Sequence, residues 1–305
     1  MLETRKILVC LDGSEMDETL LSFVSFISES SPAEDIFFIN VLTNISEIDS
    51  PEFDKLDEKV IQFRKDSIYQ RLKTIMPHDV TANIHVLVKK GNAFREVLKT
   101  LEKQDIDVVF SGSKWKSKGS GIFNQRLARR APCSLIVIPE GHVPELKTLL
   151  IPIDFSVHSQ MALEYAVFIS KSNDFKVKVI CQNIYSVPTG YHYSGKSYQD
   201  FAQIMKDNAA KEYDVWVSKI DTLDTPIEVR FSLDENDDFG QVIKNLAVQE
   251  EVSGILIGAK GRTAASALFI GSTAEKLIHA IDYLPLTIVR KKGSNASVLE
   301  SLREL

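Results

Sequence analysis

Two stretches of the chain, "KILVCLDGSEMDETLLSFVSFIS" (6–28) and "TLLIPIDFSVHSQMALEYAVFIS" (148–170), read as two versions of one text. At an offset of 142, Asp12 falls on Asp154, Ser14 on Ser156, and the closing Phe-Ile-Ser on Phe-Ile-Ser. Further along the offset drifts in one direction. Asn40 meets Asn183 at 143, Phe94 meets Phe239 at 145, and Gly112 meets Gly258 at 146. Drift of one sign, in steps of one or two residues, is what small loop insertions leave between two copies of a module. The period is close to half of the 305 residues, so the repeat is a duplicated domain and not a short solenoid unit. Domains are expected over 1–142 and 147–291, followed by a tail, 292–305. "PEGHVPELK" (139–147) has the Pro, Gly and charge of a linker.

Within each copy, apolar β-branched runs alternate with segments of helical spacing. The first copy has runs at 7–11, 36–42, 83–88, 107–111 and 134–138; the second at 149–153, 177–184, 227–231, 254–257 and 286–289. Helices are expected near 158–171, 197–219, 238–249 and 271–282. Strands that are apolar nearly throughout, each followed by an amphipathic helix, imply a parallel sheet covered on both faces.

Bulk properties exclude several function classes. A net charge of −6 argues against a nucleic-acid-binding face. No 18-residue apolar run suggests a membrane span, and the N-terminus shows no secretory leader, so a cytoplasmic protein is expected. Cys10, Cys133 and Cys181 form no CxxC pair, and the histidines form no metal spacing. No metal-binding residues are expected.

The second copy carries the chemistry. In "ILIGAKGRTAASALFIGSTAEKL" (255–277), Gly258 closes the fourth strand, Gly261 sits in the following turn, and Gly271 precedes a helix whose apolar face holds Ala274, Leu277, Ile278 and Ile281. Glycine permits positive φ and lets backbone N–H groups approach a ligand. A loop that ends at a helix N-terminus gathers unpaired donors and the positive end of a dipole, which makes an anion site. Ser272 and Thr273 add hydroxyls, and Lys260 and Arg262 can add charge; phosphate suits this convergence of donors. The spacing is neither a Walker loop nor GxGxxG.

The pattern Gly-x2-Gly-x9-Gly-Ser/Thr, in this strand–loop–helix context, resembles the ATP-binding signature of the universal stress protein family. "IPIDFSVHS" with Asp154 at its turn and "RRAPCSLIVIP" (129–139) are similar to the family too, and the resemblance covers essentially the whole chain. It implies two tandem Rossmann-like domains of the adenine nucleotide alpha hydrolase-like kind. Each would be a five-stranded parallel sheet flanked by helices, with strands one and four adjacent and a ligand crevice at that switch point. It implies ATP, with Mg²⁺ brought by the nucleotide. Pro152, Ile153 and Asp154 would border adenine and ribose, and Ile184 would touch the base. Gly258 would close the strand beside the phosphates, held by Ala259, Lys260, Gly261, Arg262, Gly271, Ser272 and Thr273. It also implies pairing of the last strands into an intrachain pseudo-dimer; a further homodimer is left open.

Plainer readings stand beside these. Asp154 can be a helix cap. Ile184 can be core, Lys260 and Arg262 solvated loop charges, and the glycines a loop device. His158 is expected on the first helix, facing solvent. The acidic run "LDENDDFG" (233–240) reads as a loop with capping carboxylates, Asn236 taking the left-handed place of Gly91. The aromatic insert 185–198 reads as a flap or contact surface, and the tail as a short helix or disorder.

The first copy departs from the signature: Trp115 stands where the second glycine belongs, and the loop to Gly121 is short. One nucleotide site per chain is therefore expected. No catalytic constellation is visible. The leading function is an ATP-binding, nucleotide-dependent stress-response regulator. The alternatives are a slow Mg²⁺-dependent ATPase, or a scaffold for another ligand or a protein partner.

Overall fold

The computed structural model describes residues 4–29, 33–43, 51–76, 80–114, 120–172, 176–261 and 270–293. Contacts divide the chain into two compact units, Met1–Pro144 with Lys291–Leu305, and Glu145–Arg290.

The first unit runs β1 (Lys6–Leu11), α1 (Met16–Ser28), β2 (Asp35–Leu42), α2 (Pro51–Ile75), β3 (Asn83–Lys90), α3 (Ala93–Lys103), β4 (Val108–Ser113), α4 (Ser120–Arg130) and β5 (Ser134–Pro139). Its strands are ordered β3-β2-β1-β4-β5, all parallel. The apolar runs become strands because both faces are covered: α1 and α2 touch each other on one side, α3 and α4 on the other. Leu20 and Val24, four apart on α1, sink into a core with Val9, Phe38 and Phe110. Lys292 belongs with this unit, its Nζ donating to the Asp105 carbonyl at 2.7 Å and to Asp107 Oδ1 at 2.8 Å. The tail beyond residue 293 lies outside the described residues.

The second unit repeats the plan with β6 (Thr148–Ile153), α5 (Val157–Ser172), β7 (Lys178–Tyr185), α6 (Tyr198–Val217), β8 (Ile227–Leu233), α7 (Phe239–Gln249), β9 (Gly254–Gly258), α8 (Ser272–Ala280) and β10 (Leu286–Val289). The order is β8-β7-β6-β9-β10, again parallel. A 3₁₀ turn over Tyr191–Ser194 occupies the aromatic insert, with the Tyr191 ring 5.5 Å from Tyr198 on α6. α8 stops two residues short of the sequence expectation, because Ile281 turns to extended backbone.

In both units the direction of strand addition reverses between the first and fourth strands. Two carbonyls at that switch point need a partner as their strands end. Asn40 and Asn183, polar residues inside apolar strands, supply it. Asn40 Nδ2 donates to the Leu11 carbonyl at 2.9 Å, and Asn183 Nδ2 to the Ile153 carbonyl at 3.1 Å. Both are buried, so the bond has no water competitor. Asn40→Leu removes the donor and is expected to destabilise the chain by about 1–3 kcal/mol in urea denaturation. A midpoint equal to that of the parent would refute the role.

Candidate functional site

A cavity of about 790 Å³ opens at the carboxyl ends of β6, β7 and β9, against α6 and the start of α8. Pro152, Ile153 and Asp154 reach it from the end of β6, and Ile184 from β7. Gly258, Lys260 and Gly261 line it after β9, and Gly271, Ser272 and Thr273 at the head of α8. Ala259 is set back: it is 1% exposed, its N–H donates to the Val289 carbonyl at 3.0 Å, and its carbonyl accepts from Gly271 N at 2.8 Å. With that N–H committed to β10, Ala259 has no backbone donor for a ligand. Arg262 lies outside the described residues.

The glycines serve close approach, not the positive φ that sequence alone also allowed. None of the three has a left-handed backbone. A Cβ on Gly258 would stand 2.5 Å from the His158 carbonyl oxygen, so this glycine lets α5 lie against the end of β9. A Cβ on Gly261 would stand 3.0 Å from Asp154 Oδ2, and one on Gly271 3.3 Å from Gly261 N. The loop and the helix start are thus pressed together where the cavity opens.

Asp154 holds the turn before α5, and the cap itself is Ser156. Asp154 Oδ1 accepts from Ser156 N at 3.1 Å, and Ser156 Oγ in turn accepts from Ser159 N at 3.2 Å, capping α5. Asp154 Oδ2 is the oxygen that faces Gly261. Between them Phe155 has φ 62, a left-handed conformation that costs a bulky residue roughly 1–3 kcal/mol. The equivalent residue of the first unit is Gly13, φ 84. Phe155 is held there by the cavity wall it forms and by Trp216 of α6, ring to ring at 5.8 Å.

Positive charge also reaches the glycine end, beside the Asp154 carboxylate. Lys260 has its pKa lowered, first by burial and then by the Arg290 guanidinium, and no carboxylate pairs with it among the described residues. His158 does not face solvent as its place on α5 suggested. Its Nδ1 is buried without a hydrogen-bond partner, and its pKa is lowered by burial and then by Lys260, against the opposing pull of Asp154. The turn of α5 that carries it lies against Gly258, which points the ring inward. No side chain caps α8 at Gly271, so its first-turn N–H groups add the positive end of a helix dipole to the same place.

Sequence reasoning missed the α6 wall. Met205, Asn208, Ala209 and Glu212 line the cavity from one face of that helix, at i, i+3, i+4 and i+7. That spacing was visible, but it is also the spacing of any helix packed on a sheet. In the acidic loop, Asp238 caps α7 by accepting from Gln241 N at 3.2 Å. The left-handed residue there is Asp237, φ 56, and not Asn236, whose N–H is held by Asp234 Oδ1 at 3.1 Å.

The sequence pattern of the universal stress protein family matches residues 3–139 and again 145–290. The chain belongs to the universal stress protein family. It is a tandem member, with one family module in each half. A universal stress protein from Archaeoglobus fulgidus DSM 4304 has a similar fold, at 16% identity and TM-score 0.64 over 94% of this chain and 98% of that one. A putative universal stress protein from Pseudomonas aeruginosa UCBPP-PA14 is similar at 12% identity and TM-score 0.59, over 100% and 99%. No curated protein matches the chain by sequence.

The two universal stress protein modules differ at equivalent positions. In the first, the outer oxygen of Asp12 pairs with Lys114, the counterpart of Lys260. Where the second module has Ser159, the first has Asp17, 1% exposed. Asp17 accepts from the N–H groups of Asp12 at 2.9 Å and Gly13 at 3.0 Å and pairs with Arg71 at 3.2 Å. These cations of the first module are matched by its own carboxylates. Trp115 and the following loop lie outside the described residues.

Two measurements probe this packing. Gly258→Val forces a side chain against the His158 backbone and is expected to cost about 1–3 kcal/mol on urea denaturation; an unchanged midpoint would mean α5 yields freely. The lowered pKa of His158 means that the folded chain takes up this proton less readily than the unfolded chain. Its stability contribution is therefore intact above the ordinary value of 6.5 and is lost as pH falls below it toward the folded value. Calorimetric Tm is expected to fall over that range in the parent, and less steeply in His158→Met, which installs the residue found at the equivalent Met16. Coincident slopes would show that another group titrates.

Proposed function

We propose that the second module binds an adenine nucleotide, ATP, and that the protein acts as a nucleotide-dependent regulator in a stress response. The observation that carries this reading is the glycine end of the cavity. Three residues without Cβ, a helix N-terminus without a side-chain cap and a lysine with no carboxylate partner among the described residues converge there, and a polyphosphate is the common ligand that answers all three. Asp154 Oδ2, beside Gly261, is placed to accept from a ribose hydroxyl. The apolar side chains of Ile153, Ile184 and Ile257 offer the flat, water-poor surface that a base prefers. Mg²⁺ would enter with the nucleotide.

The reading is binding rather than turnover. The three cysteines are free, and burial pushes the thiol of Cys181 up to about 12 and that of Cys10 higher, so neither is a nucleophile. Free, unreactive thiols also suit the reducing cytosol in which we place the protein. Asp154 has one oxygen engaged by Ser156, which leaves it as a binding group more than a general base.

Thermal denaturation of the whole chain with ATP, ADP and AMP tests the proposal. At a hundredfold excess over Kd, stabilisation of about 2.7 kcal/mol is expected. Gly261→Phe places a ring against Asp154 and in the path of the phosphates, and is expected to abolish the ATP-induced shift. A parent chain that ignores all three nucleotides would turn the reading towards a scaffold for another ligand. A Gly261→Phe chain that responds like the parent would move the phosphates elsewhere.

A further inference from the structure

Glu212 on α6 is exposed and lines the cavity, so a bound molecule can reach it. It shares one helix face with Met205, Asn208 and Ala209, and residues at i, i+3, i+4 and i+7 project their side chains from the same side. The carboxylate is therefore presented to the cavity and not to the far side of the helix. One contact fixes its place along the wall. Trp216, a turn beyond Glu212 and about 6 Å further along the helix, packs ring to ring with Phe155 at 5.8 Å. Phe155 follows Asp154 directly in the chain. Glu212 thus stands at the Asp154 end of the α6 wall, with Met205 about two turns away from it. Asp154 Oδ1 is engaged by Ser156 N at 3.1 Å, and Oδ2 is the oxygen beside Gly261. A ribose brings two adjacent hydroxyl donors, and Asp154 has one oxygen placed to accept from them.

We infer that Glu212 is a specificity-determining residue of this cavity: its carboxylate accepts from one ribose hydroxyl while Asp154 accepts from the other, so that the site selects a nucleotide carrying both hydroxyls over its deoxy analogues. The inference rests on the nucleotide reading above and adds the sugar to it. A carboxylate on a cavity wall suits this part of a nucleotide and no other. Beside a phosphate it would repel, and beside the flat face of a base it would lose water for nothing. A sugar hydroxyl gives it a donor, and a hydrogen bond to a charged acceptor is stronger than one between neutral groups. Carried by a helix that Phe155 and Trp216 tie to the Asp154 turn, it is held in place before the ligand arrives. Sites built to hydrogen-bond one ligand group discriminate against analogues that cannot supply it.

The test is equilibrium binding of ATP, 2′-deoxy-ATP and 3′-deoxy-ATP to the full chain. The unaltered protein is expected to prefer ATP to each deoxy analogue by roughly tenfold, the low end for a hydrogen bond to a charged group because this wall is open to solvent. Glu212→Ala changes an exposed helix position to the best helix former, so the chain is expected to keep its Tm. In that variant ATP is expected to weaken by a similar factor. One of the two preferences should shrink to within about threefold, and the other, read by Asp154, should remain. Two outcomes overturn the inference while leaving the nucleotide site standing. One is an unaltered chain that binds ATP and both deoxy analogues equally, and the other is a Glu212→Ala chain that keeps both preferences of the parent. A parent chain that binds none of the three nucleotides overturns the nucleotide reading itself, and this inference with it.

Discussion

The second module is organised around the contact between one turn of α5 and the last residue of β9. Gly258 lies so close to the His158 carbonyl that no side chain fits between them. From this contact the geometry of the crevice follows in sequence. Asp154, a turn earlier, is brought beside Gly261, and Gly261 beside Gly271, where α8 begins with its amides open. Three glycines therefore do one mechanical job in series, and a recess edged by Lys260 and Asp154 is left where they meet. The first module makes the equivalent contact, Gly112 against the side chain of Met16, but there a flexible side chain absorbs the closeness in place of rigid backbone.

The two modules show how one fold can be kept while its crevice is given different contents. Topology, strand register and the asparagine that pins each first strand are shared. The charges are not. In the first module Lys114 is matched by Asp12, and Asp17 by Arg71. In the second, Ser159 replaces the buried carboxylate, and among the described residues no carboxylate pairs with Lys260, which feels the Arg290 charge instead. A lysine without a partner carboxylate favours an anion beside it, whereas a matched one does not.

Some of the strain and some of the unsatisfied buried groups of the second module lie near its crevice. Phe155 holds a left-handed backbone, His158 Nδ1 and Gln182 Oε1 lack partners, and all three belong to elements that meet at the carboxyl edge of this sheet. Asn183, a polar group inside β7, has by contrast placed its amide nitrogen on the Ile153 carbonyl. A fold carries such costs where a ligand or a moving part can offset them.

The sequence by itself determined the duplication, the alternation of strands and helices, and the residues that surround the recess, because these depend on periodicity and on local turn chemistry. Asp12 and Asp154 announce their turns, and the Gly-x2-Gly-x9-Gly spacing announces a loop returning to a helix. What only the tertiary structure decided depends on which side chains meet across the fold. His158 reads as solvent-facing on its helix yet is turned inward, because Gly258 admits that turn of α5. Ala259 reads as part of a phosphate loop, yet its N–H is taken by β10. The α6 face looks like ordinary core until the ends of β6 and β7 are set beside it. Hydrogen-bond valence and burial are properties of neighbours in space, and a linear pattern records only neighbours in the chain.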